Sequence, residues 1–358
     1  MAKKKKSAGK KSSGGLRKFL IAFAGVVLLA GLITAYTFYT KVFSPNIVLQ
    51  GKSTTFIYIP TGSRLNDVIA LLNKDGMLKN SASFEWVAQQ MNYENNVKPG
   101  KYQIKSGMSN KQIVTLLRSG KQTPVRLTFS NLRTVEQLAG IVGSKIEADS
   151  AEILFLFKDD AYQAKYGFTG TNSLAVMIPN TYEFYWNCSA EQFYEKIIKE
   201  YKKFWTDERL QKAKLAGLSP TEVSALASIV EQETRKVDEK PTVAGVYINR
   251  LRKGWKLEAD PTLVYALGDF TVRRVLNEYK EIDSPYNTYM YTGLPPGPIC
   301  MPSISSIDAV LNYKSHDFLF FCAREDFSGY HAFARTYELH MQNARRFQKE
   351  LNRRGIKS

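Results

Sequence analysis

Residues 19–40 run Phe-Leu-Ile-Ala-Phe-Ala-Gly-Val-Val-Leu-Leu-Ala-Gly-Leu-Ile-Thr-Ala-Tyr-Thr-Phe-Tyr-Thr without one charged side chain. An apolar run of about 20 residues is long enough to cross the hydrocarbon layer of a bilayer as a helix. Tyr36, Phe38 and Tyr39 would then sit at one interface. A cleaved signal peptide has a shorter apolar region ending in small residues. This run ends in bulky aromatics, so an uncleaved single-pass anchor is expected. Lys3, Lys4, Lys5, Lys6, Lys10, Lys11, Arg17 and Lys18 precede it with no acid among them, and only Lys41 follows closely. That bias places the N-terminus in the cytoplasm and all that follows residue 41 on the far side of the cytoplasmic (inner) membrane. The net charge of +17 suits nucleic acid, an anionic membrane surface or an anionic polymer. Export of most of the chain argues against nucleic acid.

At 358 residues the chain has room for two or three domains. Cys188, Cys300 and Cys322 are an odd number without a C-x-x-C spacing, so they read as small apolar core residues rather than a disulfide or metal framework. After a linker over residues 41–53, Thr55 to Ile59 reads as a strand, and Leu65, Val68, Ile69 and Leu72 as a helix ending near Asp75-Gly76. A helix from about Ser83 to Met91 and a strand over Lys101 to Ile104 follow. Ser109 and Gln112 form a capping box that opens another helix, with Gly120 past its end. Val125, Leu127 and Phe129 alternate as a strand, and Thr134 and Gln137 start a further helix. Residues 145–215 read as mixed and mostly helical. They are rich in aromatics, such as Tyr182, Phe184, Trp186, Phe193, Tyr194, Tyr201 and Trp205, most of them expected in the core. A basic helix over residues 335–352 closes the chain.

One helix carries an acid where chemistry could use it. Ser219 is a natural N-cap, Pro220 fits the first helical position, and Glu222 completes a capping box. Val223, Leu226, Ala227, Val230 and Thr234 recur at helical spacing, and Glu231 lies at the edge of that stripe. A carboxyl so placed loses water, which raises its pKa and fits it to act as a general acid. On helix position alone the simpler reading is a boundary Glu paired with a Lys or Arg. Glu233, two residues on, projects to another side of the helix, so the two are not the paired carboxylates of an ordinary glycosidase. Asp260 is a candidate second acid, although Asp before Pro261 and Thr262 is equally a helix start. The histidines at 316, 331 and 340 lack metal-type spacing, and no G-x-S-x-G elbow is present. The Pro/Gly run after Gly293 has no phosphate-loop pattern. A metal-free, cofactor-free enzyme relying on a carboxylic acid is the surviving catalytic reading.

Three blocks carry a family resemblance: Ala227-Ser228-Ile229-Val230-Glu231-Gln232-Glu233-Thr234; Val246-Tyr247-Ile248-Asn249-Arg250-Leu251 leading to Asp260-Pro261-Thr262; and Tyr286-Asn287-Thr288-Tyr289 through Gly293-Leu294-Pro295-Pro296-Gly297. With them the chain resembles the endolytic murein transglycosylases, the YceG-like family, over nearly its full length after residue 50. Lys98-Pro99-Gly100-Lys101-Tyr102 resembles that family's LysM-like subdomain. The resemblance implies an α+β protein. Its parts would be a cytoplasmic basic tail at 1–18, a transmembrane helix at 19–40, a LysM-like βααβ subdomain at 54–123, a connecting region at 124–215 and a mixed α/β catalytic domain of the YceG-like type at 216–352. It also implies cleavage of the MurNAc-β-1,4-GlcNAc bond of nascent peptidoglycan strands, leaving a 1,6-anhydro end and ending strand elongation. Glu231 matches the catalytic acid. Tyr286 and Asn287 resemble an element lining glycan clefts, while Glu233, Asp260 and Thr262 support the cleft. Cell-wall synthesis enzymes are the expected protein partners. Asn180 and Cys300-Met301-Pro302 depart from the family's pattern. The competing readings are a non-catalytic peptidoglycan-binding scaffold and a conventional hydrolase.

Overall fold

In the computed structural model, residues 14–272 and 274–356 are described. The lysines of the expected basic tail, apart from Arg17 and Lys18 at its end, lie outside them. Helix α1 (Gly14–Phe43) spans 30 residues without a break, about 45 Å at the α-helical rise. Its large apolar side chains, Phe19 to Tyr39, face outward. Among the described residues it is the one helix long and apolar enough to cross a membrane.

The chain divides into two compact units, Met1–Thr123 and Pro124–Ser358. The first contains α1, β1 (Thr54–Ile59), α2 (Leu65–Lys74), α3 (Ser81–Gln90), β2 (Gly100–Lys105) and α4 (Asn110–Ser119). β1 and β2 pair antiparallel, Thr54 opposite Lys105 and Ile59 opposite Gly100. Ile57 and Ile59 point inward to Val68, Leu72, Phe84, Tyr102 and Ile113, while Phe56 and Tyr58 alternate outward. Ser109 caps α4 in a capping box with Gln112, and Gly120 closes it at φ 71°, a conformation that favours glycine. The helix α1 runs on through Phe43 into the stretch expected to be linker. Its end is held there: Asn110 Nδ2 donates to the carbonyl of Lys41 at 2.8 Å, and Phe38 meets Trp86 edge-on at 5.9 Å.

The second unit begins with β3 (Val125–Phe129), α5 (Val135–Gly143), α6 (Ser150–Lys158), α7 (Asp160–Ala164), β4 (Asn180–Phe184), α8 (Ala190–Phe204) and α9 (Asp207–Ala216). It continues with α10 (Pro220–Glu233), α11 (Lys240–Arg252), α12 (Asp260–Leu267), α13 (Ile304–Leu311), β5 (Phe320–Ala323), β6 (His331–Ala334) and α14 (Tyr337–Arg353). It has two apolar cores. One packs α5, α6 and α8 on the β3–β4 ribbon, with Phe129, Phe157, Phe193 and Tyr194 at its centre. The other surrounds α10 with α11 and α13, and draws Trp205 and Ala213 from the helices before it. Most of the aromatics at 182–205 are core, although Tyr185 is exposed. Cys188 and Cys300 are buried, Cys322 is partly so, and all three are free thiols.

Two features were not legible in the sequence. β4 pairs with β3 from Phe184 opposite Val125 to Asn180 opposite Phe129, a long-range match that local periodicity cannot report. The β5–β6 hairpin is four residues a side and only half-buried, so its alternation is weak.

Candidate active site

Helix α10 starts as its sequence dictates. Ser219 Oγ accepts from the Glu222 N–H, the Glu222 carboxylate accepts from the Ser219 N–H at 2.8 Å, and Pro220 occupies the first turn. From Val223 to Val230 every residue is buried, so the apolar surface is a full girdle rather than a stripe. The last turn carries three long polar side chains in succession. Glu231, Gln232 and Glu233 fan out to three different partners.

Glu231 turns toward the start of α13. Its Oε2 accepts from Lys240 Nζ at 2.9 Å, Ser306 Oγ at 2.6 Å, the Ser303 hydroxyl, and the Ser303 N–H at 3.3 Å. Ser303 is the N-cap of α13, where the helix end also favours negative charge. Lys240 is itself buried, with 4% of its side chain exposed against 24% for Glu231. Burial pushes the Glu231 carboxyl up, but the hydrogen bonds of Ser303, Ser306 and Lys240 and the lysine's charge outweigh it and hold it below the ordinary range. The expectation that this carboxyl keeps its proton is therefore corrected. A desolvated acid is neutralised by whatever it meets inside, and Glu231 meets four donors. Its ionised form is the favoured one here, as the ion pair with Lys240 requires.

Gln232 accepts from Arg133 at 2.6 Å and donates to Cys300 Sγ at 3.3 Å. Cys300, atypical for the family resemblance, thus packs against the back of this turn, its thiol raised by burial to about 11.

Glu233 ends the helix with a different environment. Tyr247 on α11 donates to its Oε1 at 2.6 Å. Burial pushes the Glu233 carboxyl up, the Tyr247 hydrogen bond works against that, the negative charge of Asp260 adds to it, and Arg250 partly offsets it; the result is about 7. Arg250 gives Glu233 little because its guanidinium is already committed. It donates to the carbonyls of Leu319 and Leu257 at 2.8 and 2.7 Å and pairs with Glu258 at 3.2 Å. Glu233, Tyr247, Glu258, Asp260, Tyr289 and His340 line one cleft of about 290 Å³. Glu258 holds φ at +49°, a strained value for a non-glycine residue in the wall of a cleft.

Asp260 is the first residue of α12, and its Oδ1 accepts from the Tyr289 hydroxyl at 2.6 Å. It starts a helix, as the Asp-Pro-Thr pattern suggests, and it also lies in the wall of this cleft. Thr262 and Asn287 are fully buried. Thr262 Oγ1 donates to the Ala259 carbonyl at 2.7 Å and meets the Thr288 hydroxyl at 2.8 Å. Asn287 Nδ2 donates to the carbonyls of Lys280 and Ile282, and its Oδ1 accepts from the Tyr289 N–H at 2.9 Å. Both therefore fold the loop and turn no polar atom to the cleft. Tyr286 packs at a tilt against Tyr265, ring centroids 4.6 Å apart, and donates to the Thr171 carbonyl, away from Glu233. Asn180 is exposed at the start of β4.

The structure thus gathers Glu233 and Asp260 and parts them from Glu231 and Tyr286. Tyr247, Arg250 and Tyr289 stand in the sequence blocks already quoted, but carried no role there. Tyr247 and Arg250 are three apart on one helix, the spacing that faces two side chains the same way.

An acid with a raised pKa, in a cleft walled by carboxylates and tyrosines, has the groups that acid–base chemistry on a polar substrate needs. The sequence model of the YceG-like family matches residues 57–346, and the chain belongs to that family. It is 28% identical to the endolytic murein transglycosylase of Bacillus subtilis over 81% of this chain and 84% of that one. To the endolytic murein transglycosylase of Streptococcus pneumoniae it is 29% identical, over 86% of this chain and 61% of that longer protein. Its fold is similar to the crystal structure of a yceG-like protein of Listeria monocytogenes, with a TM-score of 0.53 at 29% identity, over 82% of this chain and 99% of that one.

Proposed function

We propose that the chain is an endolytic murein transglycosylase, a lytic enzyme of peptidoglycan, with Glu233 rather than Glu231 as its acid. The observation that carries the reading is the Glu233 carboxyl, pushed up to about 7 in a cleft beside Asp260 and Tyr289. Near neutrality such a group is protonated often enough to give a proton and basic enough to take one back.

The reaction breaks the bond between C1 of N-acetylmuramic acid and O4 of the next sugar. Glu233 gives its proton to O4 as that bond lengthens. The sugar's own 6-hydroxyl then attacks C1, and the Glu233 carboxylate takes the hydroxyl proton. Water is not consumed, and the new C1–O6 bond leaves a 1,6-anhydro end. Tyr247 holds the carboxyl in place through its hydroxyl. Asp260 keeps the proton on Glu233 by charge and, with Tyr289, lines the bed of the glycan. Glu231 and Lys240 join α10, α11 and α13 behind the site, a positioning role.

The first unit, with its antiparallel β1–β2 pair and two intervening helices, supports the reading as a LysM-like subdomain that holds glycan. The α1 helix supports a single-pass anchor with residues 1–18 in the cytoplasm and the catalytic part, centred on residues 216–352, outside it. Cell-wall synthesis enzymes remain the proposed protein partners. Mass spectrometry of products from purified peptidoglycan tests the reaction. Anhydro-terminated fragments, one water lighter than their reducing counterparts, are expected. Reducing ends would make the protein a hydrolase, and intact strands would make it a binding scaffold.

A further inference from the structure

Glu233 lines two clefts, not one. Besides the acidic and tyrosine-rich cleft toward Asp260, it borders a second of about 580 Å³, walled by Arg235, Lys236, Arg324 and Tyr330. The two differ in sign. On the first side Glu258 and Asp260 face the space; the guanidinium of Arg250 is spent on backbone carbonyls and on Glu258, which leaves Asp260 without a cation partner among the described residues. On the second side two of the three cations have no carboxylate partner among the described residues. Arg235 is exposed and forms no ion pair among the described residues. Lys236 lies 4.7 Å over the Tyr330 ring and has no carboxylate partner among the described residues. Arg324 is paired only with Asp326, at the half-exposed surface.

The turn that presents these cations is built. Thr234, buried, accepts from the Lys236 N–H at 3.1 Å and donates to Glu239 at 3.0 Å. Glu239 in turn holds both the His331 N–H and its ring, each at 2.7 Å. Gly329 has φ +78°, and a side chain there would crowd Lys236. So Arg235 and Lys236, which follow the acid after Thr234, are held beside it by a buried network that reaches His331 on β6.

A peptidoglycan strand has the same asymmetry. One sugar of each pair is neutral, while the other bears a lactyl-linked peptide rich in carboxylates. The sugar whose C1 reacts is the peptide-bearing one. We propose that the basic cleft is a subsite for the stem peptide of the reacting sugar, with Arg235 and Lys236 taking its carboxylates, and that the smaller acidic cleft takes the neutral sugar of the leaving group. Charge of opposite sign on the two sides of Glu233 then sets the register of the strand, because a one-sugar slip would place carboxylates against Asp260 and Glu258. This rests on Glu233 lying at the scissile bond, but binding can be read without cleavage.

The test uses the full chain carrying Glu233→Gln. Its affinity is measured for soluble glycan fragments with stem peptides, and for the same fragments after an amidase has removed the peptides. Peptide-bearing fragments are expected to bind at least about tenfold tighter, with the excess shrinking as salt rises. In a chain also carrying Arg235→Ala and Lys236→Ala the ratio should fall toward one, and Arg235→Lys with Lys236→Arg should keep it. If the double alanine chain does not fold, the exposed Arg235→Glu change alone should lower the ratio. Equal binding of both fragments, or a ratio that survives these changes, would overturn the proposal. Failure of the wild-type chain to cut would instead strike the proposed reaction and leave this comparison readable.

Discussion

At the scale of single residues, two glutamates two positions apart in one helix end face opposite fates. Glu231 sits among four donors and titrates low; Glu233 sits with one donor and a neighbouring carboxylate and titrates high. Linkage gives them opposite pH signatures. Folding lowers the Glu231 pKa, so its contribution is present above the unfolded carboxylate range and is lost as pH falls through the folded value. Folding raises the Glu233 pKa to about 7, so stability falls as pH rises from the unfolded carboxylate range through that value, and the full cost is in place above it. Glu233→Gln should therefore be no less stable than the wild type at pH 8 in a denaturant titration. Glu231→Gln should lose on the order of 3 kcal/mol, because it strands Lys240 as a buried, unpaired charge. The proton-donor role also fixes a rate profile. With Glu233 as the required acid, kcat/KM should fall about tenfold per pH unit above about pH 7. A profile flat to pH 9 would remove Glu233 from that role.

At the scale of elements, the caps of α4, α5 and α10 were readable because each is a local contract among three or four residues. Ser219→Ala should accordingly cost about 1 kcal/mol of stability. The β1, β2 and β3 strands were readable from alternation, but β4 and the β5–β6 hairpin were not, since their partners lie far off or their faces are half wet. The site was legible only in part for a related reason. Sequence placed both glutamates on one helix, yet which carboxyl keeps a proton depends on α11, α12 and α13, and periodicity along α10 reports none of them. The same non-local fit explains Gly245 on α11. A methyl group there would press into the Lys314 carbonyl and the His316 ring. Gly245→Ala should cost about 1–3 kcal/mol. It should also lower activity by shifting the helix that carries Lys240, Tyr247 and Arg250, read by denaturant midpoint and turnover together.

At the scale of the whole molecule, a long apolar helix leads directly into the first unit, and the acid site lies in the second. As the proposed anchor, α1 would confine the enzyme to strands near a membrane. A chain lacking residues 1–35 retains Phe38 against Trp86 and the Lys41 carbonyl on Asn110. It should remain folded and cut isolated peptidoglycan at close to the full-length rate; an inactive soluble form would show that α1 does more than tether. In the proposed reaction Glu233 transfers the proton. The most direct measurement is release of anhydro-muropeptides from purified peptidoglycan by Glu233→Gln and Glu231→Gln proteins, each normalised to its folded fraction. Glu233→Gln should be folded and slower by about 10²-fold or more, while folded Glu231→Gln should retain most of its turnover. A Glu233→Gln protein that releases anhydro ends at the wild-type rate would contradict the assignment.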